Sequence, residues 1–196
     1  MKPAVQLGAP PDASWSDERL VEECRKGNGE AWNALIEKYK NLIYSIPVKL
    51  DLHDDAADIF QSVCLALMNE LERLREPRAL PKWLMQTTYH RCLRHKAQRR
   101  RSAAAPDSDE TLATTPATDT LPDDVLLQLE REQRVRGAIA GLGERCREMV
   151  RLLFFEETPR PYAEIAEQLG LATGSIGFLR GRCLAALRKS LQKAGF

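Results

Sequence analysis

Residues 162–183 read YAEIAEQLGLATGSIGFLRGRC, and the fold turns on how this stretch is understood. Its apolar residues recur at helical rather than alternating intervals. Ile165, Ala166 and Leu169 give a first short helix its inward face, and Gly170 supplies a left-handed turn residue. Beyond the turn, Ile176, Leu179, Cys183 and Leu187 form the core-facing stripe of a second helix. Its outward positions are Gly177, Phe178, Gly181, Arg182, Ala185 and Arg188. A glycine inside a helix costs ~1 kcal/mol relative to alanine, so Gly174, Gly177 and Gly181 together require a reason. Either they let another helix of the protein pack closely, or they let this helix lie close against the major groove of DNA. On the second reading Thr173 and Ser175 sit at the helix start, where a hydroxyl and backbone N–H groups suit a phosphate. Arg180, Arg182 and Arg188 reach phosphate or guanine, and Phe178 meets a thymine methyl.

The rest of the chain is also helical in its spacing. Ser16 caps a helix that carries Asp17 and Glu18 in its first turn and ends at Gly27-Asn28-Gly29. A second helix starts at Glu30 and buries Ala31, Leu35, Ile36, Tyr39, Leu42 and Ile43, with Pro47 bending or ending it. A third is predicted over 54–75, with Asp54 as its cap, and a fourth over 82–101 after the break EPRALP. Helices resume at 125–142 and 145–156. Residues 1–15, rich in Pro, Gly and Ala, read as a disordered tail, and 102–122 as a flexible acidic linker. The expectation is an all-α protein of two small helical domains, 16–101 and 123–196, the second containing a helix-turn-helix.

Composition sets limits on function. With 43% hydrophobic and 29% charged residues in 196, the chain is ordinary for a globular protein. No apolar run approaches the ~18 residues of a membrane span, and the N-terminus lacks a signal-peptide core, which points to a cytoplasmic protein without membrane insertion. Cys24, Cys64, Cys92, Cys146 and Cys183 are odd in number, widely spaced and without a C-x-x-C pair. They are expected as reduced thiols, mostly small core residues. His90 and Cys92 lack the second close pair a metal site needs, so neither metal nor cofactor is expected. The net charge of +1 conceals sorting along the chain. From Pro77 to Pro106 there are eight basic residues and no acid, and from Leu171 to Phe196 five and none. Between them, Ala103 to Asp124 holds six acids and no base. Two basic blocks, one beside a helix-turn-helix, suggest two places where a polyanion is held.

Two further faces stand out. On the third helix Asp55, Asp58, Gln61, Ser62, Asn69 and Glu72 lie opposite the apolar face, with Leu65 in their middle. An apolar anchor ringed by amides and carboxylates suits a basic partner helix, although a solvated face with a stray leucine looks the same. On the fourth helix Leu84, Met85, Thr88, Tyr89, Cys92 and Leu93 point inward. Trp83, Thr87, His90, Arg91, Arg94, Gln98 and Arg101 share the other side, with Arg78 and Lys82 just before. Such a face can pair with phosphates and stack on unpaired bases, while Trp83 equally suits a packing wedge.

In order and spacing, these segments resemble the bacterial RNA polymerase sigma factors of the extracytoplasmic-function (ECF) group, over residues 17–101 and 123–192. DDAADIFQSVCLAL resembles the family's D-A-E-D-L-V-Q-E-V-F helix at Asp55, Asp58 and Gln61. KWLMQTTYHRCLRHKAQRRR resembles the element that captures the unpaired −10 promoter strand, and 162–183 the helix-turn-helix that binds the −35 duplex. The resemblance implies a non-catalytic promoter-specificity subunit. Its partners would be the clamp helices of the polymerase large subunit, promoter DNA and, in many members, an anti-sigma protein. Ala172 replaces the family's usual capping serine, which leaves Thr173 as the expected cap. Two rivals remain open. One is a helix-turn-helix regulator whose N-terminal domain senses a ligand or oligomerises. The other is a helical enzyme, for which no glycine-rich phosphate loop, nucleophile elbow or H-E-x-x-H segment is present.

Overall fold

The computed structural model describes residues 10–103, 121–156 and 158–196. The expected tail up to residue 9, and the expected linker from residue 104 to 120, lie outside the described residues. Within them the chain is all-helical, without a strand. The helices are α1 (Asp17–Arg25), α2 (Gly29–Lys49), α3 (Ala56–Glu70), α4 (Leu80–Ala103), α5 (Asp123–Ala140), α6 (Glu144–Phe154), α7 (Tyr162–Gln168) and α8 (Ile176–Lys193). Short 3-10 turns at Pro77–Ala79 and Thr173–Ser175 lead into α4 and α8. The chain divides into two compact units, Met1–Glu130 and Arg131–Phe196, and the division falls inside α5.

In the first unit, α1, α3 and α4 all pack against α2. Local chemistry sets the ends of these helices. The Ser16 hydroxyl accepts from the Arg19 N–H at 3.3 Å at the start of α1. Gly27 turns the chain with φ +80°. The Asn28 side chain then accepts from the N–H groups of Glu30 and Ala31 at 3.0 and 3.2 Å, taking up two donors that the first turn of α2 cannot use itself. Pro47 does not end α2, which runs on to Lys49 with Pro47 buried. Leu35, Leu42, Ile43, Ile59, Leu84 and Met85 are among the fully buried side chains of the core, each stabilising by ~1.5–3 kcal/mol relative to exposure. The Tyr39 hydroxyl donates to Asp17 at 2.7 Å, and Lys38 pairs with the same carboxylate at 2.8 Å. Burial, and then the Asp17 charge, push the Tyr39 phenol far above its ordinary range. Leu121 and Leu129 are buried in this same core, so the start of α5 packs with the first unit.

Helix α3 departs from expectation at both ends. Asp55 rather than Asp54 holds the N-cap position, and its side chain makes no cap bond. Its carboxylate instead accepts from Arg99 of α4 at 3.0 Å. The helix stops at Glu70 instead of continuing to residue 75. Just beyond that end, Arg25 of α1 donates from Nε and Nη2 to the Leu71 carbonyl at 3.2 and 3.1 Å, and from Nη2 to the Leu74 carbonyl. A guanidinium from another helix thus takes the carbonyls that a further turn would have used.

The second unit has a small core of Met149, Leu152, Ile165, Ala166 and Ile176, with Leu153, Leu169, Leu171 and Leu179 packed against it. Gly170 adopts φ +63° as expected, and the Leu171 N–H closes the turn on the Ala166 carbonyl at 2.8 Å. Thr173 does not act as a cap. Residues 173–175 form a 3-10 turn closed by the Ser175 N–H on the Ala172 carbonyl at 2.8 Å, and no side chain caps α8. The expectation of five reduced cysteines fails, because Cys146 of α6 is disulfide-bonded to Cys183 of α8. A separation of 37 residues hides this pair in the sequence. Folding α6 against α8 brings the two Cα atoms to 5.2 Å, and closing such a loop stabilises by about 2–4 kcal/mol. On the surface Arg151 bridges Glu148 and Glu156 at 2.7 and 2.8 Å, and Arg160 pairs with Glu156 at 3.1 Å and with Gln168.

The Arg25 contact yields a test. Arg25→Ala is expected to destabilise the first unit by roughly 1.5–3 kcal/mol, the range for hydrogen bonds to a charged group. Urea unfolding would measure it, and Arg25→Lys, which lacks the forked donors, should recover less than half.

Candidate nucleic-acid and partner interfaces

The outer face of α8 is as bare as its sequence implies. A Cβ added at Gly174, Gly177 or Gly181 would meet nothing within 4 Å. Of the two explanations for these glycines, close packing within the protein finds no neighbour among the described residues. Thr173, Ser175, Arg180, Arg182, Ala185 and Arg188 are exposed on the same side, while Ile176 and Cys183 are buried. Phe178 is 73% exposed, and the Arg182 guanidinium lies 5.9 Å from its ring centre, a cation–π contact that presents both groups together. The Arg180 guanidinium donates to the Tyr162 hydroxyl at 3.4 Å, which links α8 to α7.

On α4, Leu84, Met85, Thr88 and Cys92 are buried, and Thr88 returns its hydroxyl to the Leu84 carbonyl at 2.6 Å. Tyr89 and Leu93 are half-buried. Lys82, Arg94, Gln98 and Arg101 are exposed, and Thr87, His90 and Arg91 half-buried. Among the described residues, neither Arg91, Arg94 nor Arg101 has an ion-pair partner. Trp83 is half-buried and packs on the core as a wedge, with part of its ring left exposed. Arg78 is already engaged, with its Nε 2.7 Å from Glu18. Hydrogen bonding to Arg78 lowers the Glu18 carboxyl to about 2. The pair therefore stands throughout the neutral and mildly acidic range and is lost only as pH falls toward that value.

On α3 Asp58, Gln61 and Asn69 are exposed, as is Glu72 just past its end; Asp55 at its N-cap is half-buried in its pair with Arg99, and the Ser62 hydroxyl donates to the Ile59 carbonyl at 2.7 Å. Leu65 is 57% exposed. Met68, which the sequence reading passed over, is 59% exposed beside it, one helical turn on. Its position three residues after Leu65 was the available signal. Behind this stripe Phe60 stacks on Tyr44 of α2 with ring centres 4.6 Å apart. Among the described residues no group of three or more His, Cys, Asp or Glu gathers where it could hold a metal, and no helix is long and apolar enough to cross a membrane.

A helix-turn-helix with a stripped outer face in one unit and a cationic helix face in the other have the chemistry of a protein that holds nucleic acid. Residues 35–102, from mid α2 to the end of α4, match the family model described as Sigma-70 region 2. The chain is 27% identical over 186 residues to the RNA polymerase sigma-H factor of Pseudomonas aeruginosa, an alignment covering 90% of this chain and 94% of that one. It is 25% identical over 167 residues to the ECF RNA polymerase sigma-E factor of Haemophilus influenzae, covering 82% and 87%. The region 2 match and the two sigma-factor relatives together support a bacterial sigma factor of the ECF type.

The open space over the glycines has a measurable consequence. Gly177→Ala and Gly181→Ala should each raise the stability of the second unit by about 1 kcal/mol, since the added methyl meets no clash and the helix gains propensity. Thermal unfolding of the two variants would show it, and a loss of stability would mean that those positions are crowded.

Proposed function

We propose that this protein binds core RNA polymerase, carries it to promoters and opens them, acting by binding alone with no catalytic step of its own, in the bacterial cytoplasm. Residues 16–101 serve as the module for core polymerase and the −10 element, and 123–196 as the module for −35, joined through 102–122. The observation that carries the reading is the uncovered backbone of α8 at Gly177 and Gly181, flanked by Phe178 and Arg182. A helix presents its backbone in this way where a rigid, regular surface must come close, and the major groove is such a surface. Thr173, Gly174 and Ser175 then lie toward phosphate, with Arg180 and Arg188 as further backbone contacts.

Upstream, the α4 face takes the non-template strand once it is unpaired. Arg91, Arg94 and Arg101 neutralise phosphates, and Thr87, His90 and Gln98 supply hydrogen bonds. Lys82 and Arg78 extend the basic face toward the preceding loop, Arg78 only after leaving Glu18. Trp83 contributes through its exposed edge while its other side stays on the core. Unstacking bases costs a few kcal/mol, which trapping them offsets. The α3 stripe of Asp55, Asp58, Gln61, Ser62, Leu65 and Asn69, with Met68 added, meets the clamp helices of the polymerase large subunit. An anti-sigma protein competing for these surfaces is the corresponding mode of control.

Copurification with core polymerase, followed by run-off transcription, tests this directly. Leu65→Arg or Asp58→Arg should lower core affinity tenfold or more, about 1.4 kcal/mol or above, with unchanged unfolding. Arg182→Ala should reduce −35-dependent initiation, and the double change Arg91→Ala with Arg94→Ala should impair opening with core binding intact. A chain that bound duplex DNA at nanomolar affinity without ever associating with core would instead be a regulator of the rival kind.

A further inference from the structure

We infer that Cys146 and Cys183 are a reversible redox pair, a modification site through which small thiols and their disulfides lock and unlock the helix-turn-helix unit. The bond joins the first turn of α6 to the middle of α8, and the 37-residue interval it closes contains α7, the turn and the first half of α8. The core cluster of the unit it fastens is small, five buried residues among those described, with Ala138, Leu142, Val150 and Cys183 buried besides, so a cross-link there adds appreciably to how firmly α8 is held. The bond sits on the face of α8 opposite Gly177, Phe178, Gly181 and Arg182, so locking the helix leaves its outer surface open.

The two sulfurs differ in access. Cys183 is fully buried, whereas Cys146 is half-exposed. Cys146 lies at the N-terminal end of α6 between the exposed Arg145 and Arg147, with Glu144 alongside. A helix N-terminus with two arginines draws an anionic thiolate to that sulfur. The remaining three cysteines are unpaired and poorly suited to the same chemistry. Burial pushes the Cys24 and Cys92 thiols up to about 11 and about 12, and raises Cys64 as well.

The chemistry is thiol–disulfide exchange. A small thiolate attacks the Cys146 sulfur; the disulfide bond breaks, its electron pair leaves on the Cys183 sulfur, and that sulfur takes a proton. A second small thiolate attacks the small molecule's sulfur in the mixed disulfide, and Cys146 leaves and is protonated. Two electrons and two protons pass to the protein while two small thiols become one disulfide. The reverse sequence, driven by the oxidised small molecule, closes the pair. In a thiol-rich cytoplasm such a bond responds to redox poise and is not permanent. The closed form is the one that binds promoter duplex best, because α8 is already held in place.

The test equilibrates the full chain in mixtures of reduced and oxidised glutathione, then quenches with acid, unfolds, alkylates and weighs it. Three alkylated cysteines are expected under oxidising conditions and five under reducing ones, with Cys146 and Cys183 joined in one peptide and the change reversible. Reduction should lower the melting midpoint of the second unit by about 10 °C or more. Cys146→Ser, at a half-exposed position that tolerates serine, should show four alkylated cysteines and one melting midpoint in both buffers. Five alkylated cysteines in oxidised glutathione, or a cross-link without a melting shift, would overturn the proposal. These readouts do not depend on the proposed function. Run-off transcription near the reduced form's midpoint should be at least threefold higher for the oxidised chain. Equal transcription from the two forms would refute the locking role and leave the promoter reading standing, while no transcription from either would refute the promoter reading instead.

Discussion

Burial of α2 by α1, α3 and α4 is the interaction on which the first unit depends. Its side chains point inward around most of its circumference, from Ala31 and Leu35 through Leu42 and Ile43 to Ile46. A helix covered on several sides frees its neighbours from needing more than one apolar face each. α3 and α4 each bury one stripe and leave the other to solvent. The stripes differ in sign, amide and carboxylate around Leu65 and Met68 on α3, cationic on α4. Besides their shared core, the two helices are joined by the Asp55–Arg99 ion pair. At that degree of exposure an ion pair is worth at most about 1 kcal/mol, so it orients the two helices more than it holds them.

The second unit rests on a different balance. Its apolar cluster is much smaller than that of the first unit. Polar links surround it instead, with Arg151 bridging Glu148 and Glu156, Arg160 reaching Glu156 and Gln168, and Gln168 returning to Glu148 at 3.1 Å. This chain of contacts ties α6 to α7 across the loop between them. Each link is partly exposed and individually weak, and their value lies in closing a ring.

Much of this architecture was legible in the sequence, because helical periodicity is a local property. The stripe from Ile176 to Cys183, the turn at Gly170 and the cap at Ser16 all follow from residues a few positions apart. What escaped was set by residues far apart. Arg25 ends α3 from 46 positions away, and no local signal at Glu70 announces it. Asp55 gives up capping because Arg99, on another helix, claims its carboxylate. Cys146 and Cys183 have no motif to join them, and an odd count of five argued the wrong way. Met68 was a different kind of omission, since methionine suits a core as well as a surface and its spacing from Leu65 alone does not decide between them.

The glycines of α8 and the cross-link on its opposite face are best understood together. Glycines at 177 and 181 lower helix stability by ~1 kcal/mol each, in the unit least able to absorb the loss. Propensity alone would place alanine there, as it does at Ala185 and Ala186 one turn later. Helix stability therefore does not account for the outer face, whereas the close approach proposed for it does. The inner face carries the compensating feature: Cys183 lies on the same helix, and its covalent tie to α6 stabilises by an amount comparable with what the glycines forgo. One helix can then be bare on its outer face and still be held from behind. The arrangement also makes its hold chemically adjustable, which a larger apolar core at the same place would not allow.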